Sequence, residues 1–205
     1  METVERPVLE WGLATLALPG HVESGDRHVV QPFPNGVLVA AVDGLGHGEE
    51  AAAAAKLAVS ILERHAQEEV IALLRRCHEA LRGTRGVVMS LASFRAPDSM
   101  LTWLGVGNVE GLLLREAADS ALRHAALVLR GGVVGAELPP LRVSVIPVMR
   151  GDTLIFATDG IREGFTERLA LSDPPQELAD RILARHAKGT DDALVLVARY
   201  AGWEP

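Results

Sequence analysis

Two segments near the start of the chain are rich in apolar and β-branched residues, and they predict β-strands. They lie at residues 8–18 and 27–42, where apolar positions alternate with polar ones or run without interruption. Proline and glycine at positions 19, 20 and 25, and the turn cluster at residues 32–36, interrupt these segments. Because such residues favour turns over strand interiors, the interruptions predict where the strands end.

The next part of the chain has the sequence pattern of two helices. Residues 49–66 combine strong helix formers with acidic residues in the first turn and with Arg64 and His65 near the end. These charges complement the helix dipole, so the segment predicts a helix. Residues 68–82 repeat the pattern and then meet Gly83. This predicts a second helix, and we expect the two to form a helical hairpin.

Short apolar segments separated by turns follow, and they indicate an antiparallel sheet. Runs of strands with helices grouped between them are typical of an α+β fold with a large antiparallel core, not of alternating βαβ units. The predicted strands are residues 87–94, 100–107, 109–115, 125–130, 141–149, 152–159 and 193–200, with a last helix at residues 174–187.

Length and composition fit one globular domain of residues 1–205. The chain is 48% apolar, and the scaling of surface with mass predicts that about 70% of the surface is buried on folding. Cys77 is the one cysteine of the sequence. A single cysteine excludes an intrachain disulfide framework and multi-cysteine metal sites, and it fits a reducing compartment. We therefore expect a cytoplasmic protein in which Cys77 packs on a helix face and is not a nucleophile.

The charge balance argues against two classes of partner. The chain has 20 basic and 27 acidic side chains, a net charge of −7, and its arginines are scattered along the sequence. Nucleic acid is not expected as a partner, because neutralising its phosphates needs a basic stripe. No run reaches the roughly 20 apolar residues of a membrane span, so a membrane is not expected either.

Aspartates at the ends of predicted strands are the candidate functional residues. Asp43 follows a buried apolar run and precedes a glycine-rich turn, and Asp159 follows another such run. Asp191 and Asp192 stand just before the last strand, and Asp26 stands before an early one. If the sheet gathers them, they form an oxygen-rich cluster suited to hard cations such as Mg²⁺ or Mn²⁺. Kept apart, they would be ordinary turn residues, since Asp-Gly is a common turn signal.

Taken together, the motifs around these aspartates resemble the metal-dependent (PPM-type) serine/threonine protein phosphatases. The resemblance covers nearly the whole chain, and the order and spacing of the motifs carry it more than any single motif. Four motifs are those of the family at large: SGD at residues 24–26, DGLGHG at 43–48, ATDGI at 157–161 and DDALVLV at 191–197. Three more are similar to its SpoIIE-like branch: GVGN at residues 105–108, GGVVG at 131–135 and RGDTLIFATDG at 150–160.

The resemblance implies a four-layer α-β-β-α sandwich, in which two mainly antiparallel sheets are flanked by helices. It also implies a centre of two Mn²⁺ or Mg²⁺ ions at one end of the sandwich, with Asp43 as the central catalytic ligand. The implied ligands are Asp43 for both ions, Asp26 and the Gly44 carbonyl for one, and Asp159 with either Asp191 or Asp192 for the other.

By the same resemblance, the reaction is hydrolysis of phosphoserine or phosphothreonine on a protein. Two ions about 3.5–4 Å apart lower the pKa of a bridging water, and the resulting hydroxide attacks phosphorus in line. No phosphoenzyme is needed. The implied partners are phosphorylated proteins of a stress-signalling complex, the stressosome.

Two positions depart from the family pattern. No arginine lies just before Asp26 to bind the substrate phosphate, and Arg27 comes after it, so the ions alone would bind the phosphate. Leu45 stands where relatives carry a histidine proposed as the general acid. His47 is a candidate for that catalytic role, although a histidine in a glycine-rich turn is more often solvated or structural. A metal-bound water is the alternative proton donor.

Two other functions are compatible with the sequence. The first is a binding module of the same fold without activity, and the four intact acidic positions count against it. The second is a hydrolase of small phosphorylated metabolites that uses the same ions. Hydrolysis of an aryl phosphate separates an enzyme from a binding module, and phosphoserine peptides compared with sugar phosphates separate the two enzymes.

Overall fold

The computed structural model describes residues 8–18, 20, 23–116, 122–167 and 169–202. Within them, the helices predicted at residues 49–66, 68–82 and 174–187 are confirmed with slightly shorter ends. The helices are α1 (Glu49–Arg64), α2 (Val70–Leu81) and α3 (Pro175–His186). The strands are β1 (Leu9–Leu16), β2 (Asp26–Phe33), β3 (Gly36–Gly44), β4 (Val87–Arg95), β5 (Met100–Val106), β6 (Glu110–Glu116), β7 (Leu122–Ala126), β8 (Leu129–Arg130), β9 (Ser144–Pro147), β10 (Thr153–Ala157) and β11 (Ala193–Tyr200).

These strands form two sheets. The first sheet has the strand order β1-β11-β10-β6-β7, and each of its pairs is antiparallel. The second sheet has the order β2-β3-β4-β5-β8, and β9 pairs with β5 as well. Among the described strands of this second sheet, only the short β5–β8 pair is parallel. The sheets are therefore mainly antiparallel, as predicted.

Three apolar layers join the sheets and helices. Leu38 and Leu74 belong to the layer between the second sheet and the helices α1 and α2. Trp103 and Phe156 belong to the layer between the two sheets. Leu178 belongs to the layer between the first sheet and α3. The order of layers is the predicted α-β-β-α sandwich.

A close contact between β3 and α1 fixes the loop that joins them. A methyl group at Gly44 would lie 2.2 Å from the carbonyl oxygen of Ala51, in the first turn of α1. Only glycine leaves room for the helix backbone at this position. Small residues such as Ala54, Ala55 and Ala58 let the rest of α1 lie close to the second sheet. The sequence that follows Asp43 is thereby held against the end of the sheet.

The segment predicted as one strand at residues 125–130 is divided between the two sheets. β7 ends in the first sheet and β8 begins in the second. Leu127 donates its N–H to the carbonyl of Gly111 over 2.8 Å, and Gly107 donates its N–H to the carbonyl of Arg130 over 2.8 Å. The chain crosses between sheets at this point, which a continuous apolar run does not reveal. The strand predicted at residues 141–149 is likewise shorter, as β9.

Cys77 is buried in the layer that α1 and α2 cover. Burial raises the pKa of its thiol to about 12. A thiol with such a pKa is protonated at neutral pH and is a poor nucleophile, so Cys77 packs in the core as expected. None of the described helices is both long and apolar enough to cross a membrane.

Candidate metal centre

Asp26 and Asp43 face each other at the start of β2 and near the end of β3. The two residues are directly paired in the antiparallel β2–β3 ladder. Directly opposed residues place their side chains on the same face of a sheet, with Cβ atoms about 4.5–5.5 Å apart. The next residue, Gly44, donates its N–H to the carbonyl of Gly25 over 3.2 Å. The fold therefore brings the first two predicted aspartates together.

Thr158 links Asp26 to the other sheet. Its Oγ1 donates to Asp26 Oδ2 over 2.7 Å and accepts the N–H of Leu194 over 2.8 Å. Asp26 is 4% exposed and Thr158 is 2% exposed. Because Thr158 directly follows β10 and Leu194 lies in β11, these buried hydrogen bonds join the ends of both sheets at the candidate site.

Asp192 holds the backbone around Asp26. Its Oδ1 accepts the N–H of Leu18 over 2.7 Å, and its Oδ2 accepts the N–H of Gly25 over 2.6 Å. Gly160 packs directly against it, since a methyl group at Gly160 would lie 1.9 Å from the Asp192 carbonyl oxygen. Both carboxylate oxygens of Asp192 are therefore committed to backbone N–H groups.

Asp159 and Asp191 lie on the turns that follow β10 and precede β11. Asn108 donates its Nδ2 to Asp159 Oδ2 over 2.9 Å. Asp191 Oδ1 accepts the N–H of Asp192 over 2.9 Å. One oxygen of each carboxylate thus accepts a hydrogen bond.

The aspartates at this site repel one another. Burial raises the pKa of Asp26 to about 7 and that of Asp43 to about 8. The negative charges of Asp192, Asp159 and Asp191 add to both shifts. Among the residues described, no lysine or arginine forms an ion pair with any of the five carboxylates. The described part of the chain therefore gives these carboxylates no ion-pair partner, and a divalent cation would neutralise them.

The oxygen atoms of the cluster are suitable ligands for a hard cation, although the side chains do not converge on one point. Within residues 8–202, apart from those left undescribed, no three Asp, Glu, His or Cys side chains form a group that could hold a metal ion. Mg²⁺ does not require such a group, because it keeps several waters and takes one or two carboxylates. Asp26 and Asp43, with the carbonyl of Gly44 next in the chain, offer that kind of site.

The loop between β3 and α1 carries the remaining candidates. Leu45 donates its N–H to the carbonyl of Gly86 over 3.1 Å, and its side chain packs against the layer between the sheets. A methyl group at Gly46 would lie 2.6 Å from Arg85 Nη1. His47 is exposed on the same loop. Leu45 therefore serves packing, and His47 is the titratable residue of this loop nearest to Asp43 in the chain.

Three residues at the site escaped prediction from the sequence. Thr158 and Asn108 stand inside the ATDGI and GVGN motifs, but residue type alone does not show that their side chains bond aspartates from other segments. Lys188 donates its Nζ to the carbonyl oxygen of Asp159. No motif around Lys188 indicates a functional residue.

The profile of the family described as Stage II sporulation protein E (SpoIIE) matches residues 34–201. The chain belongs to the SpoIIE family. The match begins after Asp26 and includes the segments of Asp43, Asp159 and Asp191. It confirms the family resemblance drawn from the motifs.

Several known proteins are similar to this SpoIIE-family chain. The phosphoserine phosphatase RsbX of Bacillus subtilis (strain 168) is 27% identical to it over 137 residues, which are 67% of each chain. The crystal structure of RsbX in complex with magnesium superposes with a TM-score of 0.83 at 20% identity, over 95% of this chain and 96% of that one. A structure called "The bacterial stressosome: a modular system that has been adapted to control secondary messenger signaling" contains a chain with a TM-score of 0.83 and 29% identity, over 93% of this chain and 99% of that one. These superpositions confirm the PPM-type fold.

Proposed function

We propose that this protein is a metal-dependent phosphatase that hydrolyses phosphoserine or phosphothreonine on proteins of a stressosome-type signalling complex. Its family and fold are those of PP2C-type protein serine/threonine phosphatases. The observation that carries the proposal is the pair of a buried Asp26 and a half-buried Asp43 at the meeting point of the two sheets, surrounded by further carboxylates and without an ion-pair partner among the described residues. A partly buried acidic cluster of this kind is stabilised by divalent cations.

Two ions, Mn²⁺ or Mg²⁺, are the proposed cofactor. In the proposed assignment Asp43 serves both ions, Asp26 and the Gly44 carbonyl serve one, and Asp159 and Asp191 serve the other. Asp191 is preferred over Asp192 because both oxygens of Asp192 already accept backbone N–H groups. When bound, the ions supply Lewis-acid activation of water and neutralise charge on the phosphoryl group.

The protein's own side chains orient the proposed ligands. Thr158 holds Asp26 from the opposite sheet, and Asn108 holds one oxygen of Asp159. Such hydrogen bonds from outside the ligand set fix the direction in which a carboxylate points its free oxygen. His47 is the proposed proton donor to the leaving alkoxide, because it is exposed on the loop that follows Asp43.

Protein substrates are proposed on two grounds. One relative is named a phosphoserine phosphatase, and a chain of 29% identity comes from a structure of a bacterial stressosome. The proposed setting is the cytoplasm, since Cys77 is a free thiol, as a reducing compartment favours. The small-metabolite phosphatase and the inert binding module are the competing hypotheses.

Substrate assays at one fixed Mn²⁺ concentration test the proposed function. We expect the full chain to hydrolyse an aryl phosphate and to show a higher kcat/KM on phosphorylated stressosome scaffold proteins than on sugar phosphates. Short phosphoserine peptides are expected to fall between the two. A preference for sugar phosphates would show a metabolite phosphatase, and no turnover on any ester would show a binding module.

A further inference from the structure

Cationic side chains lie against the backbone of the candidate metal centre, although none of them pairs with its carboxylates. These cationic side chains differ in whether a carboxylate from outside the centre already forms an ion pair with them. Within the described residues the cations that touch this backbone are Arg27, Arg85 and Lys188.

The two arginines already have acidic partners. Arg27 Nη2 lies 3.8 Å from Glu23 Oε2, and its Nη1 donates to two backbone carbonyl oxygens over 2.8 and 2.9 Å. Arg85 Nε is paired with the carboxylate of Glu50, in the first turn of α1. Both guanidinium groups are therefore largely committed to the protein itself.

Among the described residues, the ammonium group of Lys188 contacts a neutral oxygen and no carboxylate. Its Nζ donates to the carbonyl of Asp159, and no carboxylate among the described residues forms an ion pair with it. An ammonium group has three N–H donors, so two remain for a ligand. The residue is exposed. Lys188 thus presents a positive charge next to a proposed metal ligand, and no described carboxylate compensates it.

The backbone around Lys188 holds it in place. Its own N–H donates to the carbonyl of Gly160 over 2.8 Å, and Arg162 donates its N–H to the carbonyl of His186 over 2.9 Å. These bonds tie the segment before β11 to the turn that carries Asp159. Because the anchor points are fixed, less conformational entropy is lost when the ammonium group binds a ligand.

We propose that Lys188 is a substrate-binding residue whose ammonium group contacts the phosphoryl group of the substrate. The inference rests on the proposed phosphatase function. A phosphoryl dianion at this site must approach several carboxylates, and a cation beside Asp159 offsets that repulsion. Charge-assisted hydrogen bonds from an ammonium group to phosphate oxygens are stronger than bonds between neutral groups.

A chemical footprint tests the contact without relying on turnover. The sequence has two lysines, and Lys56 on α1 pairs with Glu23 at 2.6 Å, away from Asp159 in the chain. The full chain with Mn²⁺ is acetylated by an N-hydroxysuccinimide ester, with or without orthophosphate, and each lysine is followed by mass spectrometry. We expect orthophosphate to slow acetylation of Lys188 severalfold and to leave Lys56 unchanged. Equal rates for Lys188 in both conditions, or equal slowing of both lysines, overturn the proposal.

Kinetics of the Lys188→Ala variant give a second readout. We expect KM for an aryl phosphate to rise about 10-fold or more, the usual effect of losing a hydrogen bond to a charged group. The Mn²⁺ dependence should stay the same, and Lys188→Arg should recover much of the loss because it keeps the charge. Lys56→Ala is the matched control and should keep the wild-type KM. A lower thermal stability in Lys188→Ala with an unchanged KM would show a structural residue and contradict the proposal.

Failure of this proposal is distinguishable from failure of the proposed function. An active wild-type protein with an unchanged KM in Lys188→Ala contradicts the role of Lys188 alone. A wild-type protein without turnover on any phosphate ester contradicts the proposed function. In that case the footprint decides by itself whether Lys188 binds phosphate.

Discussion

Thr158 Oγ1 donates a 2.7 Å hydrogen bond to Asp26 Oδ2 across the gap between the two sheets. Both residues are buried, and Asp26 is in turn paired with Asp43 in the β2–β3 ladder. Thr158 directly precedes Asp159 in the chain. This one bond therefore relates the aspartates of the second sheet to those of the first.

Removing that hydroxyl should destabilise the protein. In Thr158→Val, Asp26 loses its donor inside the core, and we expect a loss of about 1–3 kcal/mol in the free energy of unfolding. Thr158→Ser keeps the hydroxyl and should lose less. Urea unfolding of the wild type and both variants, all metal-free, measures this difference. Equal stability of the Val and Ser variants would mean that the hydroxyl does not hold Asp26.

Asp43→Asn should abolish turnover and leave the fold intact. Losing a ligand charge shared by two ions is expected to cost at least about 3 kcal/mol of transition-state stabilisation, so less than about one hundredth of the wild-type rate should remain at saturating Mn²⁺. The circular dichroism spectrum should match the wild type. Asp98→Asn, an exposed aspartate in the β4–β5 turn, is the matched control and should keep full activity. A rate above a tenth in Asp43→Asn would show that the bridging assignment is wrong.

The metal-free protein should lose stability as the pH rises from 5 to 8. In the folded state the pKa of Asp26 is about 7 and that of Asp43 about 8, whereas an unfolded aspartate titrates near about 3.9. The folded protein therefore binds more protons than the unfolded chain in this range, so the free energy of unfolding falls with pH. Chemical unfolding in chelator at several pH values measures the slope.

The same titration in Asp43→Asn provides the control. This variant lacks one of the two titrating groups and one negative charge near Asp26, so its stability should fall less steeply and should exceed that of the wild type at pH 8. Parallel slopes for the two proteins would contradict the repulsion described for the cluster.

Two variants, Asp191→Asn and Asp192→Asn, should change different properties of the protein. Asp191→Asn should weaken Mn²⁺ binding with little change in metal-free stability. Asp192→Asn should cost about 1–3 kcal/mol of stability, because an amide cannot accept both N–H groups that Asp192 accepts. Urea unfolding at pH 6, below the pKa values of Asp26 and Asp43, where both are mostly uncharged, measures the stability effect. Calorimetric Mn²⁺ titration measures the binding effect. The reverse pattern would make Asp192 the ligand.

Much of the fold could be predicted from the sequence because its elements have strong periodic patterns. The alanine-rich segment predicts a helix, α1, and the apolar run before Asp43 predicts a strand, β3. Both predictions are confirmed. The change of sheet between β7 and β8 was not predicted, because it depends on the partners of Leu127 and Arg130 and not on their residue types. Local patterns report which face is apolar, whereas pairing between distant strands decides which sheet a segment joins.

The aspartates of the candidate site could be predicted because each stands at a strand end next to a glycine or another aspartate. The residues that contact these aspartates and their backbone could not be predicted. Thr158, Asn108 and Lys188 act through contacts with residues from 29 to 132 positions away, and a threonine, an asparagine or a lysine in a turn is ordinary without those contacts. For the same reason the sequence does not show whether Asp191 or Asp192 is the metal ligand. Only the fold shows that the carboxylate of Asp192 accepts the backbone N–H groups of Leu18 and Gly25.

Anomalous scattering from crystals of the full chain soaked in Mn²⁺ tests the central proposal most directly. The proposed centre predicts two neighbouring manganese peaks at the meeting point of the two sheets, both within coordination distance of Asp43. One should lie beside Asp26 and the Gly44 carbonyl, and the other beside Asp159 and Asp191. The absence of peaks at saturating Mn²⁺, or peaks bound only by surface carboxylates away from Asp43, would contradict a metal-dependent phosphatase.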